Sequence, residues 1–106
     1  MKTSFVRRGR LEIVYEILSV CCRPVQKTRI IYTCNLNHGQ LHKYLKYLIS
    51  CGLLRSIEKN RREFFLTTGE GKGFLKEYER LKKFVNKNHR GMEGLGDETD
   101  IADTRT

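Results

Sequence analysis

A mainly helical fold with one small β-hairpin is predicted for this 106-residue chain from three observations. Three short segments carry apolar residues at helical spacing, a polar and cationic break separates two β-type runs, and a long amphipathic segment follows. In chain order these give helix, helix, turn, helix, hairpin and long helix. That is the plan of a winged helix-turn-helix with a long C-terminal dimerisation helix.

The first helix rests on Leu11, Val14, Ile17, Leu18 and Cys21, with Ile13 flanking, and is expected to stop at Arg23-Pro24 because proline disfavours helix in the residue before it. Residues 1–8 read as a flexible basic arm. After a link through Val25, a brief second helix starts at Thr28 and carries Ile30, Ile31 and Cys34. Asn35-Leu36-Asn37 is a turn, since asparagine tolerates left-handed geometry and caps helices. Asn37 and Gln40 have the spacing of a capping box, so a third helix begins near His38.

On the wheel of the third helix Leu41, Tyr44, Leu45 and Leu48 gather on one side, with Ile49 at its edge. Gly39, Lys43, Lys46 and Ser50 gather opposite, flanked by His42 and Tyr47, with no acidic residue on the helix. Gly52 supplies the stop. Leu54–Glu58 and Glu63–Thr67 then read as hairpin strands around Lys59-Asn60-Arg61-Arg62, with Ile57, Phe64 and Leu66 as the inward face. Thr67-Thr68-Gly69-Glu70 offers a second capping box, opening a helix to about His89, which Gly71 and Gly73 weaken at its start. Along it Phe74, Tyr78, Leu81 and Val85 form a stripe about 60° wide, narrow enough to be a coiled-coil seam, and Leu75 and Phe84 widen it at its ends. Residues 90–106 read as a disordered acidic tail. The expected organisation is therefore an arm at 1–8, a winged helix-turn-helix domain at 9–69, a dimerisation helix at 70–89 and the tail at 90–106.

The net charge of +9 is unevenly placed. Residues 1–90 hold 20 of the 21 Lys and Arg but 7 of the 12 Asp and Glu, leaving +13, whereas residues 91–106 hold one Arg against five acids. So cationic a body favours a polyanion, because each neutralised phosphate releases counterions. Apolar runs are broken well before the length of a membrane span and the N-terminus has no signal-like apolar run, which points to a cytoplasmic, nucleoid-associated protein. Cys21, Cys22, Cys34 and Cys51 form no C-x-x-C pair and are expected to be reduced and mostly buried, not zinc ligands with His38, His42 or His89. No phosphate loop, nucleophile elbow or metal-protease helix is present, so neither an enzyme nor a cofactor is expected, and no small-molecule effector is evident.

A major groove admits one helix, and a cationic hairpin beside it can reach the backbone. Gln40, His42, Lys43 and Tyr47 are accordingly candidates for base edges, with Lys46 on the same face. Lys59, Arg61 and Arg62 of the hairpin, with Lys27 and Arg29 of the second helix, are candidates for phosphate. Phe74, Tyr78, Leu81 and Val85 are candidates for a homodimer interface. The expected function is a dimeric double-stranded DNA-binding protein acting on transcription. The alternatives are a sequence-independent chromatin protein and a protein-interaction module of the same fold, with RNA binding weaker still.

Lys27-Thr28-Arg29-Ile30, Asn35-Leu36-Asn37, the run Leu45 to Leu54, and Phe65-Leu66-Thr67-Thr68-Gly69-Glu70-Gly71-Lys72 followed by Phe74-Leu75 carry a family likeness. Over about residues 8 to 86 the chain resembles the archaeal ten-kilodalton winged-helix DNA-binding proteins and related archaeal transcriptional regulators. The resemblance implies an archaeal source, DNA binding and dimerisation through an antiparallel coiled coil of the last helices.

Overall fold

A computed structural model of the chain, describing residues 8–87, contains α1 (Arg10–Val20), α2 (Lys27–Cys34), α3 (His38–Ser50), β1 (Leu54–Lys59), β2 (Arg62–Thr67) and α4 (Gly69–Lys87). The order is the predicted one. The chain divides into two compact units, Met1–Lys76 and Glu77–Thr106. Residues 1–7 of the expected arm, residues 88 and 89 of the expected dimerisation helix and the acidic tail lie outside the described residues.

The core of the first unit draws on every element. Val14, Ile17, Leu18 and Cys21 come from α1 and its end, Ile30 and Cys34 from α2, and Leu41, Leu45 and Leu48 from α3. Leu54, Phe65 and Leu75 join it from the hairpin and α4, and Val25 and Leu36 from the connecting segments. Leu11, predicted on the apolar side of α1, is instead 62% exposed, and contact with this core begins at Ile13.

Helix α1 also ends earlier than proline alone would require. The N–H of Cys21 donates to the Ile17 carbonyl at 3.1 Å and that of Cys22 to Ser19 at 3.4 Å, which tightens the last turn. The chain must leave the helix here to become extended at Val25, whose N–H and C=O pair with Phe65 at 3.1 and 2.7 Å. The Leu18 carbonyl accepts from the Thr67 hydroxyl at 2.7 Å, and the Cys21 carbonyl from the Thr67 N–H at 2.7 Å. Two carbonyls at the end of α1 are thereby satisfied by the hairpin.

The turn between α2 and α3 follows the sequence closely. Asn35 is left-handed at φ 56°, and the Leu36 N–H reaches back to Ile31 at 3.2 Å. The Asn37 side chain accepts from the Gln40 N–H at 2.7 Å while the Gln40 carboxamide accepts from the Asn37 N–H at 3.1 Å, closing the capping box. At the far end Gly52 sits at φ 79°. Its N–H bonds Ile49 and the next N–H, of Leu53, bonds Leu48, each at 3.0 Å, the paired bonds of a Schellman stop.

The hairpin departs from expectation in two respects. Lys59 pairs with Arg62, so the turn is Asn60-Arg61 alone and not four residues. Both turn residues have positive φ, 53° and 66°, the geometry that matches the twist of adjoining strands. The inward face is also the opposite one: Phe65 and Thr67 are 2% and 3% exposed, while Ile57, Phe64 and Leu66 are only half-buried. Three consecutive apolar residues leave the choice of face open, and the Thr67 bond to Leu18 decides it, because side chains alternate along a strand.

The cap of α4 lies one residue beyond the predicted box. Thr68 accepts the Gly71 N–H at 3.0 Å and donates its hydroxyl to the Gly52 carbonyl at 2.7 Å, tying the start of α4 to the end of α3. Gly71 costs helix propensity but is required. A Cβ there would stand 2.3 Å from the Leu53 carbonyl oxygen and 2.5 Å from Thr67 Cγ2.

Candidate nucleic-acid interface

The wheel predicted for α3 is the one observed. Leu41, Leu45 and Leu48 are buried, Tyr44 is half-buried, and His42, Lys43, Lys46 and Tyr47 face solvent. The cap of α3 is rigidly built, so the cationic side has a fixed direction. Gln40 is exposed, but its carboxamide oxygen is committed to the cap, which leaves the amide hydrogens as its free donors. Tyr47 shares a hydrogen bond with the Cys51 side chain one turn on, and this raises the phenol above its ordinary 10.0.

Lys27 and Arg29 stand exposed in the first turn of α2, and Lys59, Arg61 and Arg62 stand exposed at the hairpin tip. These two elements meet. Gln26, Lys27 and Thr28 share an open groove with Arg61, Arg62 and Glu63, while Lys59, Asn60, Arg62 and Phe64 line another at the tip. Lys43 and Tyr47 line a different groove, with Arg10, Leu11, Val14 and Tyr44. Arg8 pairs with Glu16 and Arg80 with Glu77, whereas among the described residues the cations of α3 and the hairpin have no carboxylate partner.

Two residues of the first unit escaped sequence reasoning. Val25, read as a link, holds the hairpin against α1 through its pairing with Phe65, and nothing local marks a single bridging residue. Arg8, read as the end of the arm, pairs with Glu16 of α1 and donates to the Asn35 carbonyl at 3.3 Å. It thereby fastens α1 to the turn that orients α3. Of the cysteines, Cys21 and Cys34 are buried as expected, whereas Cys22 and Cys51 are exposed.

In α4, Phe74 packs half-buried at the edge of the core, Leu75 is buried and Tyr78 is half-buried. Leu81 and Phe84 are 62% and 66% exposed, and Val85 is exposed as well. Among the described residues no three His, Cys, Asp or Glu side chains are grouped to hold a metal, and no helix is long and apolar enough to cross a membrane.

A model of the winged helix-turn-helix family matches residues 7–86. The chain belongs to this family. In its terms α2 and α3 are the helix-turn-helix and β1–β2 is the wing. An uncharacterized protein of Methanocaldococcus jannaschii is 40% identical over 62 residues, which cover 58% of this chain and 61% of that protein. The chain thus spans less than two thirds of the curated relative it matches. Among solved structures, Sso10a-2, a DNA-binding protein from Sulfolobus solfataricus, superposes with a TM-score of 0.67 at 26% identity, covering 86% of this chain and 99% of that one. A PadR family transcription regulator from Clostridium difficile R20291 gives a TM-score of 0.70 at 23% identity over 76% of this chain and 96% of its own, a likeness of fold.

Proposed function

We propose that this winged helix-turn-helix protein binds double-stranded DNA as a homodimer and acts on transcription by binding, without catalysis. Helix α3 enters the major groove, where His42, Lys43, Tyr47 and the amide of Gln40 meet base edges and Lys46 neutralises charge. Lys59, Arg61 and Arg62 of the wing, with Lys27 and Arg29 of α2, hold the backbone. The carrying observation is the division of α3 into a leucine side sealed in the core and a cationic side that is exposed, free of acids and fixed by its caps. The shared groove of Lys27 with Arg61 and Arg62 supports a joint phosphate contact. The likeness to a DNA-binding protein from Sulfolobus solfataricus supports the same reading.

The dimer rests on α4. Leu81, Phe84 and Val85 leave an apolar strip on a helix of 19 residues, and a partner helix is the natural cover for a strip of coiled-coil width. Phe74 and Tyr78, earlier in the sequence of the same helix, are the other candidates for the interface. A cytoplasmic, nucleoid-associated setting follows from the same proposal.

A gel-shift titration tests the interface. The combined change Lys43→Ala, Lys46→Ala and Arg61→Ala removes three contacts from each subunit, worth about 1 kcal/mol each, so duplex affinity of the dimer should fall by more than about a thousandfold. Wild-type affinity should also drop steeply with added salt. Binding by the triple variant equal to wild type would remove the proposed surface.

A further inference from the structure

The groove between the first turns of α1 and the middle of α3 is explained only in part by contact with a duplex, which accounts for Lys43 and Tyr47 but not for Arg10 and Leu11. It is lined by Arg10, Leu11, Val14, Lys43, Tyr44 and Tyr47 and has a volume of about 480 Å³, within the range of small-molecule sites. Its surface is mostly apolar. Leu11 and Tyr47 remain 62% and 58% exposed beside it. Two cations, Arg10 and Lys43, are the only charged residues in its lining, and neither takes part in an ion pair among the described residues. Glu12 lies on the far side of α1, since two residues along a helix turn the side chain by about 200°.

We propose that this groove binds a small aromatic carboxylate and that its occupation competes with DNA. The ring lies against Leu11, Tyr44 and Tyr47, and the carboxylate is taken by the Arg10 guanidinium with Lys43 beside it, the planar fork of arginine matching both oxygens. An apolar floor alone would accept a neutral ring equally well. The paired, unneutralised cations select an anion. The competition rests on the DNA reading above: Lys43 and Tyr47 belong to both surfaces, so a ligand that engages them withdraws them from the groove of the duplex. Linkage then requires DNA to weaken the ligand by the same factor.

The probes are 1-naphthoate and its neutral amide, 1-naphthamide, titrated without DNA into the isotopically labelled full chain and followed by amide chemical shifts. The expected result is a saturating shift confined to residues 10–14 and 43–47 with naphthoate, and binding about tenfold weaker with the amide. Arg10→Gln, a surface change outside the proposed DNA contacts, should weaken naphthoate by about tenfold as well. Equal binding of acid and amide, shifts elsewhere on the protein, or no saturation would each overturn the site. In a second arm naphthoate should lower duplex affinity of the wild type and leave that of Arg10→Gln nearly unchanged at the same concentration. Naphthoate bound in the groove with duplex affinity unaltered would overturn the competition. A chain that binds no duplex at all would defeat the DNA reading, while the first arm still decides the site.

Discussion

Cys21 and Cys34 lie in the core, whereas Cys22 and Cys51 face solvent. Burial, followed by the neighbouring Cys34 and Cys22, pushes the Cys21 thiol from 9.0 up to about 12. Burial, with Glu16 adding and Arg8 opposing, pushes Cys34 from 9.0 up to about 11. A thiol that keeps its proton longer in the folded state stabilises the fold fully below pH 9 and loses that contribution as pH rises toward the folded value. Stability should therefore fall between pH 9 and about 11 to 12, beyond what the exposed groups cause. Chemical denaturation at about pH 8 and about pH 10 checks this against the Cys21→Ala, Cys34→Ala variant, which should lose the excess pH dependence. An identical pH dependence in the two proteins would contradict it. Individual residues were legible where their chemistry is local: Asn37 with Gln40 needs only a spacing of three, and Asn35 only its tolerance of left-handed backbone. The exposed Cys22 and Cys51 were not, because a cysteine is neither clearly apolar nor clearly polar and only the packed helix shows which side it takes.

At the level of elements, the helices were legible and the wing was legible only in outline. Periodicity placed α3 and its cationic side correctly, since one leucine stripe admits one orientation. The wing lacked such a constraint. Phe64-Phe65-Leu66 offers an apolar residue to either face, and the deciding bonds run from Thr67 to Leu18 and from Phe65 to Val25, separated by tens of residues in sequence. The cap of α4 slipped by one residue for a related reason: two threonines in succession can each cap, and tertiary contacts assign Thr67 to α1 and Thr68 to α4. The wing turn carries its own prediction. Arg61 at φ 66° occupies a position that favours glycine, so Arg61→Gly should stabilise the protein by about 0.5–1 kcal/mol in thermal unfolding. The same change removes a cation from the groove shared with Lys27. It should weaken duplex binding and lower the salt dependence by about one phosphate contact per subunit. A variant that is more stable yet binds equally well would show that Arg61 serves the turn and not the ligand.

At the level of the whole molecule, most of the positive charge lies in the first unit and the apolar strip of α4 in the second. Residues 1–76 hold 15 Lys and Arg against 5 Asp and Glu, a net of +10, and the described part of the second unit presents Leu81, Phe84 and Val85 exposed. The proposed arrangement joins two such cations through α4, so that two α3 helices face one duplex and a two-fold protein meets a two-fold site. Replacing Leu81 and Val85 by glutamate should shift sedimentation from dimer to monomer while leaving the circular dichroism of the first unit largely intact. A wild-type protein that sediments as a monomer at every concentration would contradict the dimer. The measurement closest to the central claim is lysine acetylation with and without a saturating duplex at low salt, read by mass spectrometry. Lys43 and Lys46 should be strongly protected in the complex. Both lysines reacting at the same rate in free and DNA-bound protein would mean that the duplex sits elsewhere.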